Sequence, residues 1–561
     1  MFIGVDVGTG SARACVMDAH GEILAVASQA IKRFSPKTDF INQSSKDIWG
    51  AICECTRNVI KESGIDPSSV KGIAYDATCS LVATKGPAGN QTIPVGPDFA
   101  NSEQDVILWM DHRAHEETKR IKATGHPLLK FVGGQMSIEM EVPKMMWLKQ
   151  HMPSDMFADA YFYDLSDWLS MHSTGVDARS FCSVACKQGY VPQGVDGSTT
   201  GWSQEFLTSV GLEDLVANDF ARLGGISGKN GTYHSAGEPV GHLTPEAAAD
   251  LGLTTSAVVG SGVIDAYSGW IGTVAAKTDD LLPEHSVASR LAAVAGTSTC
   301  HIVQSQDPVF VPGVWGPYRD VLVAGMWCAE GGQSTTGELI SFILRTHPAH
   351  AELEQMASDK QINKFELLNN HLEHMRDEQK LPSIYHLIST LFFYGDLYGN
   401  RSPIADPTMR GSIVGLDMDS SLNSLAKLYL ATLEFVCQQQ RQIIDAMNAK
   451  GHCVNTIYLS GGQCRNPVLT ELMATCANMP VVIPKYIDSA VVLGTAMLAA
   501  KAAGPGDALW DVMSQYSKTG TVVKPNADGK IQRLLKAKYE VFLDQIERQH
   551  IYREKVAKAS Q

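Results

Sequence analysis

One pattern occurs twice in this sequence and limits the folds that the chain can adopt. Near the N-terminus the apolar, β-branched run Phe2 to Val7 leads into a turn at residues 8–10 (GTG), and residues 12–17 resume a strand-like pattern. Far downstream, residues 294–299 (VAGTST) repeat this transition and lead into the apolar run 300–303. Apolar runs separated by glycine turns predict antiparallel strands. The repetition therefore predicts two related domains that begin in the same way.

The periodicity of the remaining sequence predicts that both domains are α/β. Ser44 and Asp47 resemble a capping box, apolar residues then recur at helical spacing up to Gly64, and a strand pattern follows at 70–75. In the second half, strand and helix patterns alternate over residues 456–459, 467–477, 481–483 and 489–503. Strands that return after helices imply helices packed against a mixed sheet.

A chain of 561 residues exceeds what one hydrophobic core usually supports, so at least two domains are expected. A boundary near residues 265–277 places the first domain at 1–268 and the second at 269–505, with a helical C-terminal extension at 506–561. Two related α/β domains leave a cleft between them, and such clefts are preferred places for small-molecule sites.

Two segments read as additions to these domains. Residues 345–380 are rich in charges and histidines at helical spacing, which predicts a solvated helical insertion. The tail after residues 504–506 (GPG) carries apolar residues on one helical face, namely Leu534, Leu535, Phe542, Leu543 and Ile546. Isolated amphipathic helices are marginally stable, so this face is expected to dock on the protein surface rather than to wait for a partner.

Composition excludes several classes of function. The formal charge is −14, from 46 basic and 60 acidic residues, which disfavours binding to nucleic acid or to an anionic membrane. The stretch 251–276 is apolar enough to suggest a membrane span, but Asp265 in its middle would cost about 2.5 to 3.5 kcal/mol there. A buried strand, turn and helix therefore fits that stretch better.

The cellular setting follows from similar arguments. Met1 is followed at once by a strand-like run without a basic and apolar leader, so a cytoplasmic location is expected. The 12 cysteines form no CxxC pair and no metal-ligand spacing, so they are expected to be reduced thiols in or near the core, and no zinc site is proposed.

Three segments could carry chemistry. In residues 4–13 a carboxylate, Asp6, ends a strand before a Gly/Thr turn whose amides and hydroxyls can approach phosphate, although a simple hairpin would look the same. A second such turn at Gly296 and Thr297 favours the phosphate reading, because two facing turns could clamp a triphosphate. Asp265 could cap a helix, accept a proton from a substrate hydroxyl, or do both. Residues 461–466 (GGQCRN) would admit a flat ligand against the backbone or simply start a helix.

Taken in order, the motifs of this chain resemble those of the FGGY carbohydrate kinases, a branch of the actin-like, ribonuclease H-like ATPases. The resemblance spans most of residues 1–503 and implies an α/β fold with two actin-like domains and an interdomain cleft. It rests on residues 4–13 (GVDVGTGSAR), 109–113 (WMDHR), 143–149 (PKMMWLK), 262–266 (GVIDA), 295–299 (AGTST), 410–411 (RG), 459–462 (LSGG) and 493–496 (LGTA). Neither a Walker A loop nor a GxGxxG signature is present.

The resemblance implies ATP as phosphoryl donor, Mg²⁺ as cofactor and a role for each motif. Asp265 would be the general base, and Asp6 would hold Mg²⁺, through water, near the transferring phosphoryl group. The residues implied to contact or border the nucleotide are Gly8, Thr9, Arg13, Gly296, Thr297, Gly332, Gly462 and Asn466. The family's second signature departs at Lys427, a change expected to affect packing rather than catalysis.

Substrate choice depends on fewer residues. Where glycerol kinases carry an Arg-Glu pair and xylulokinases a Met-His pair, this chain has Ala77 and Thr78, which disfavours glycerol and weakens D-xylulose. The run 78–82 (TCSLV) resembles the D-ribulokinase branch, and Trp109, Lys187 and Glu330 then stand at positions implied to contact the sugar. Taken alone, Trp109 could be core packing and Lys187 a solvated surface residue.

These patterns together predict ATP-dependent phosphorylation of a ketopentose, with D-ribulose to D-ribulose 5-phosphate as the leading reaction. L-ribulose, D-xylulose and ribitol kinases are alternatives, and so is a protein of another class, an actin-like module that senses sugar or nucleotide without catalysis. Asp265 argues against the sensor, because a binding module needs no base. Sugar and ATP are the expected partners, and the assembly could be a homodimer.

Overall fold

The computed structural model describes residues 1–87, 89, 91–279, 286–504 and 506–560. Its framework is a pair of large mixed sheets. The first sheet has, in spatial order, the strands Pro239–His242, Val258–Ile264, Gly72–Ala77, Phe2–Val7, Ser11–Met17 and Ile23–Ala30. The second has Trp315–Arg319, Trp327–Gln333, Thr299–Ser305, Arg290–Ala295, Thr456–Ser460, Val481–Ile483 and Thr521–Val523. The chain is therefore a two-domain α/β protein, as the sequence predicts.

The two sheets share one topology. In each, the first strand pairs antiparallel with the strand that follows it, which pairs antiparallel with a third. On its other side the first strand pairs parallel with a later strand, and that strand pairs parallel with the next. Val7 pairs with Ala12 and Ala295 pairs with Thr299, so each pair closes one of the two Gly/Thr turns. The repeated sequence pattern thus marks the same corner of both domains.

Helices cover both sheets, and their ends follow the sequence signals. Ser44 caps the helix Ser45–Ser63 by accepting from the Asp47 amide, and Gly64 ends this helix in the left-handed conformation. The other helices of the first half are His115–Thr124, Glu141–His151, Ser154–Asp159, Leu165–Thr174, Phe181–Lys187, Gln204–Ser209, Ala217–Phe220, Pro245–Leu251 and Asp265–Ile271. Those of the second half are Gly337–Thr346, His350–Lys360, Lys364–Glu378, Leu422–Ala449, Pro467–Ala477, Ala490–Ala503, Leu509–Tyr516 and Gly529–Ala559.

Smaller sheets complete the molecule. The strands Asn42–Gln43, Val106–Ile107, Leu81–Lys85 and Ala160–Asp164 form a four-stranded sheet in the first half. Two further pairs are Arg179–Ser180 with Tyr233–His234 and Phe392–Tyr394 with Ser412–Val414. The apolar stretch around Asp265 is a buried strand, Val258–Ile264, followed by a helix, as expected. No helix in the described part of the chain combines the length and apolar content that a membrane crossing needs.

The two halves exchange helices. Ala490–Ala503 comes late in the sequence but packs on the strands Phe2–Val7, Gly72–Ala77 and Val258–Ile264 of the first sheet. In return, Asp265–Ile271 packs on the strand Arg290–Ala295 of the second sheet. A division of the chain near residue 268 therefore separates the domains in sequence but not in space. Pro505, the last residue of the expected second domain, lies outside the described residues.

The two exchanged helices, Asp265–Ile271 and Ala490–Ala503, cross at very close range. A Cβ placed on Gly494 would lie 2.0 Å from the Ser268 carbonyl oxygen, and one on Gly272 would lie 1.9 Å from that of Ala490. Real Cβ atoms do not approach backbone oxygens so closely, so only glycine permits this crossing. The LGTA motif at 493–496 is explained by this contact.

Both additions pack against the protein, although the sequence predicts this only for the C-terminal helix. The insertion is helical, but its expected solvation is only half right, because Leu353, Leu367, Leu372 and Met375 are buried. The C-terminal helix Gly529–Ala559 docks as expected. Its buried residues include Leu535, Phe542 and Ile546, whereas Leu543 is 39% exposed and Leu534 is half-buried. The cysteines are free thiols and all but Cys300 and Cys453 are buried.

We expect Gly494→Ala to lower the free energy of unfolding by about 3 kcal/mol, because its Cβ would meet backbone atoms that cannot move aside. Gly50→Ala is the matched control, since Gly50 lies in the helix Ser45–Ser63 with open space around it. That control should stabilise the protein by about 0.5 to 1 kcal/mol. Denaturant unfolding of both variants measures the difference, and an unchanged midpoint for Gly494→Ala would contradict the crossing.

Candidate functional site

The first Gly/Thr turn is tied to the polar side chains around it. The Gly8 amide donates to the Ser11 carbonyl at 2.9 Å and closes the turn. Trp109 Nε1 donates to Thr9 Oγ1 at 3.0 Å, and Gln43 donates to the Thr9 carbonyl at 3.0 Å. Trp109 is therefore more than core packing, because it holds the turn that was predicted to contact phosphate.

Two carboxyl groups face each other beside this turn. Asp6 stands opposite Arg13 on the antiparallel neighbour and opposite Asp76 on the parallel neighbour. Burial raises the pKa of Asp6, while Arg13 opposes the rise. Burial and the charge of Asp6 raise the pKa of Asp76 well above its usual value, which favours the protonated form of Asp76. The hydroxyl of Thr495, on the exchanged helix, also donates to Asp76.

Asp265 stands close to this pair. It is the first residue of the helix Asp265–Ile271, and burial together with the charge of Asp6 raises its pKa to about 7. The expectation that Asp265 caps this helix is wrong: the cap position is Ile264, with no side-chain cap hydrogen bond. Its carboxylate accepts only from the adjacent Ala266 amide, at 2.7 Å, among the described residues. One face of this carboxylate is thus left for a ligand.

The second Gly/Thr turn meets the start of a helix. The Gly296 amide donates to the Ser298 carbonyl at 2.8 Å, and the Thr336 amide donates to the Thr297 carbonyl at 2.9 Å. Gly337, the first residue of the helix Gly337–Thr346, lies so close that a Cβ there would be 2.6 Å from the Gly296 carbonyl oxygen. The N-terminus of a helix favours anions. Sequence reasoning missed Gly337, although its place before a helical pattern was a signal.

The predicted nucleotide residues Gly462 and Asn466 lie nearby. Gln463 donates to Thr336 Oγ1 at 2.8 Å and so joins their segment to the second turn. Gly462 is exposed and has open space around its Cα, as a contact with a flat ligand requires. The Asn466 side chain is engaged within the protein, where it donates to Tyr429 at 2.6 Å and caps the helix Pro467–Ala477. Its contact with a nucleotide stays a prediction.

A second group of charges surrounds Glu330. Arg401 Nη2 donates to Glu330 Oε1 at 2.8 Å, the Tyr267 hydroxyl donates to Oε2 at 3.0 Å, and Lys187 Nζ lies 3.6 Å from Oε2. Both cations lie over the ring of Trp315, at 4.5 Å for Lys187 and 4.1 Å for Arg401. Lys187 is 3% exposed, so it is not a solvated surface residue.

The charges in this group compensate one another. Burial opposes the ionisation of Glu330, but Lys187 and Arg401 hold its pKa below the usual value. Burial lowers the pKa of Lys187, but Glu330 more than offsets this and raises it. Three ionised side chains are therefore stable together where each alone would be costly. Sequence reasoning found Lys187 and Glu330 but missed Tyr267, Trp315 and Arg401, which no local motif marks.

Gly332 lies beside this group and pairs with Cys300, one residue after the second turn. It lies in the strand Trp327–Gln333, and a Cβ there would be 2.6 Å from Arg401 Cδ. The absence of a side chain at Gly332 makes room for Arg401. Its predicted contact with the nucleotide stays a prediction, while Gly337 is the glycine that the fold brings to Gly296 and Thr297.

A buried lysine, Lys144, supports the backbone next to the first Gly/Thr turn. Lys144 Nζ donates to the carbonyls of Leu108 at 2.9 Å, Trp109 at 3.1 Å and Glu139 at 3.3 Å. It thereby fixes the backbone of Trp109, whose ring holds Thr9. Burial lowers the pKa of Lys144, and the nearby carboxylate of Asp111 opposes this. The motif 143–149 therefore acts on the site through the segment 109–113.

Comparisons with known proteins agree with this arrangement. The N-terminal domain of the FGGY family of carbohydrate kinases matches residues 1–272, and the C-terminal domain of that family matches residues 291–503. A D-ribulokinase of Saccharomyces cerevisiae is 52% identical over 512 residues, which cover 89% of this chain and 72% of that protein. The human FGGY carbohydrate kinase domain-containing protein is 40% identical, with 98% of this chain and 97% of that protein covered.

Solved structures show the same fold. A xylulose kinase from Rhodospirillum rubrum superposes with a TM-score of 0.75 at 18% identity, covering 98% of this chain and 99% of that one. A glycerol kinase from Plasmodium falciparum, solved with ADP, superposes with a TM-score of 0.74 at 15% identity, covering 97% of each chain. At such low identity these likenesses concern the fold alone.

We expect Lys144→Met to lower the free energy of unfolding by about 3 kcal/mol, because three buried carbonyls would lose a charged donor. Lys149→Met, on the same helix Glu141–His151, is the matched control, since Lys149 pairs with Glu213 and Asp214 at the surface. It should cost about 0 to 1 kcal/mol. Equal midpoints for the two variants in urea would refute the role given to Lys144.

Proposed function

This chain belongs to the FGGY family of carbohydrate kinases. We propose that it transfers the γ-phosphoryl group of ATP to a ketopentose and that D-ribulose is its preferred substrate. The observation that carries the proposal is the position of Asp265. Its half-buried carboxylate directly follows the strand Val258–Ile264, in which Val263 pairs with Asp76, the strand partner of Asp6. Two residues further on, the Tyr267 hydroxyl donates to Glu330, so Asp265 stands between the first Gly/Thr turn and the charged group around Glu330. A base is needed at just such a junction of nucleotide and sugar.

The chemistry assigned to Asp265 is proton acceptance. The hydroxyl oxygen of the sugar attacks the γ-phosphorus, its proton passes to the Asp265 carboxylate, and the bond from phosphorus to the bridging oxygen of ADP breaks. A carboxylate with a pKa of about 7 is matched to this task near neutral pH, because it is partly ionised yet basic enough to accept the proton. The pKa of Asp76 is raised well above its usual value, so Asp76 is less suited than Asp265 to accept this proton.

The two Gly/Thr turns would receive the phosphates of ATP. Thr9 and Thr297 lie at corresponding corners of the two sheets, and the N-terminus of the helix Gly337–Thr346 adds amides and a favourable dipole beside the second corner. The open surface at Gly462 would border the adenine base of the nucleotide. In this arrangement the nucleotide lies mainly on the second domain and the reacting phosphate faces the first.

The residues around Asp6 fit Mg²⁺. Among the described residues no three His, Cys, Asp or Glu side chains are placed to hold a metal ion by themselves. Mg²⁺ typically keeps several waters and binds through one or two carboxylates plus substrate phosphates, which Asp6 beside the first turn can satisfy. When bound there, Mg²⁺ would neutralise charge on the phosphates. Asp6 would hold it, with Asp76 opposite on the neighbouring parallel strand.

D-ribulose is favoured by two observations. The 52% identity to a D-ribulokinase extends over 89% of this chain. The side chains of Lys187 and Glu330 are together in a buried charged group, which can bind several sugar hydroxyls and reject analogues that leave its polar groups unpaired. Ala77 and Thr78 offer no charged pair for glycerol at the end of the strand Gly72–Ala77.

A substrate screen tests the proposal. We expect the purified protein with ATP and Mg²⁺ to release ADP with D-ribulose at a higher kcat/KM than with L-ribulose, D-xylulose, ribitol or glycerol. A preference for another pentulose would replace the named sugar but keep the kinase. Binding of nucleotide and sugar without ADP release for any of the five would instead support a sensor.

Asp265→Asn tests the base. We expect kcat to fall by about 10² to 10⁴, the usual contribution of a general base, while the KM for ATP changes little. Asp155→Asn, at an exposed position in the helix Ser154–Asp159, is the matched control and should leave kcat unchanged. Turnover of Asp265→Asn near that of the unaltered protein would exclude Asp265 as the base.

A further inference from the structure

Arg401 lies where a sugar would contact the second domain. It belongs to the loop between the short strands Phe392–Tyr394 and Ser412–Val414, and its guanidinium lies on the ring of Trp315. One nitrogen, Nη2, donates to Glu330 at 2.8 Å and lies 3.7 Å from a carboxylate oxygen of Glu139 in the first half of the chain. Arg401 thus stands at the junction of the two halves, beside the residues assigned to the sugar.

The guanidinium has unused donors. It carries five N–H groups, of which the bond to Glu330 uses one. Nη1 has a weak contact with the Cys300 sulfur at 3.8 Å, and Nε makes no hydrogen bond among the described residues. The side chain is only 12% exposed. A largely desolvated cation with free N–H groups favours a ligand that supplies acceptor oxygens.

The loop holds Arg401 rigidly. Asn400 donates to Asp396 at 2.7 Å and accepts from the Ile404 amide at 3.0 Å. Asp396 is also bonded by Gln439 at 2.7 Å, on the long helix Leu422–Ala449. These bonds hold the backbone of the loop next to Arg401, and the Trp315 ring, Glu330 and the space left by Gly332 position its side chain. A site prepared in this way loses little conformational entropy on binding.

We propose that Arg401 is a sugar-binding residue that donates a hydrogen bond directly to the C1, C3 or C4 hydroxyl oxygen of the ketopentose and so helps to select it. The proposal rests on the proposed function. Lys187 lies across the same Trp315 ring, and among the described residues its ammonium has no hydrogen bond, only the ion pair with Glu330 at 3.6 Å. Glu330 holds the two cations, which together offer donors to adjacent sugar oxygens.

The experiment measures the KM of the unaltered protein and of Arg401→Gln for D-ribulose and for its 1-deoxy, 3-deoxy and 4-deoxy analogues. Loss of a charged hydrogen bond should raise the KM for D-ribulose about 10- to 100-fold and leave the KM for ATP within about twofold. Arg401→Lys should restore part of the affinity. Arg548→Gln, which breaks a surface ion pair with Asp544, is the matched control and should change neither constant.

The deoxy analogues separate direct contact from support of Glu330. If Arg401 binds one sugar oxygen, removing that oxygen from the sugar should raise the KM of the Arg401→Gln variant little further. Removing any other oxygen should raise the KM by the same factor in the variant and in the unaltered protein. The direct contact would be overturned if the effects of the substitution and of the missing oxygen on the KM were additive for every analogue. It would also be overturned if Glu330→Gln and the Arg401→Gln/Glu330→Gln double variant had the same KM values for all of these sugars.

Failure of the inference and failure of the proposed function give different results. If the unaltered protein phosphorylates no sugar of the screen, the proposed function fails. If it phosphorylates D-ribulose and Arg401→Gln leaves the KM for D-ribulose unchanged, only the inference about Arg401 fails. Direct calorimetry of D-ribulose with a nonhydrolysable ATP analogue gives the same comparison without turnover, and equal dissociation constants for Arg401→Gln and the unaltered protein would also overturn the proposal.

Discussion

Backbone lies against backbone where the helices Asp265–Ile271 and Ala490–Ala503 cross, and much of the candidate site depends on that contact. Gly272 and Gly494 permit a separation that no side chain would allow. The crossing brings the hydroxyl of Thr495 to Asp76, which stands against Asp6, and it holds the helix that begins with Asp265. The exchange of helices therefore joins the two domains and sets the positions of the carboxyl groups at the same time.

Around this junction, buried charges are stable because each has a partner of opposite sign. Glu330 is held ionised by Lys187 and Arg401, one from each half of the chain. Burial and the charge of Asp6 raise the pKa of Asp76 well above its usual value, because two adjacent buried carboxylates cannot both be ionised at low cost. The same physical rule thus lowers the pKa of Glu330 between its two cations and raises that of Asp76 beside Asp6.

Regular elements were predictable where local signals were strong. Ser44 and Gly64 mark the ends of the first long helix, and Pro467–Ala477 and Val481–Ile483 have the expected bounds. Predictions failed where the packing around an element decides which of its residues are buried or where it begins. The insertion was expected to be solvated, yet charged residues on one face concealed apolar residues that pack on Leu422–Ala449. Asp265 looked like a cap because sequence alone does not show where a helix begins to within one residue.

The sequence by itself determined the two-domain α/β fold, the paired Gly/Thr turns and the candidates Asp6 and Asp265, because each belongs to a local pattern of residue types. Lys187 and Glu330 were found through the resemblance to the FGGY carbohydrate kinases. Only the tertiary structure decided which distant residues complete the site. Tyr267, Trp315 and Arg401 come from separate segments with no shared motif, and the side chain of Arg401 fills the space left by Gly332. Such contacts arise from packing between elements far apart in the chain, for which spacing along the sequence carries no signal.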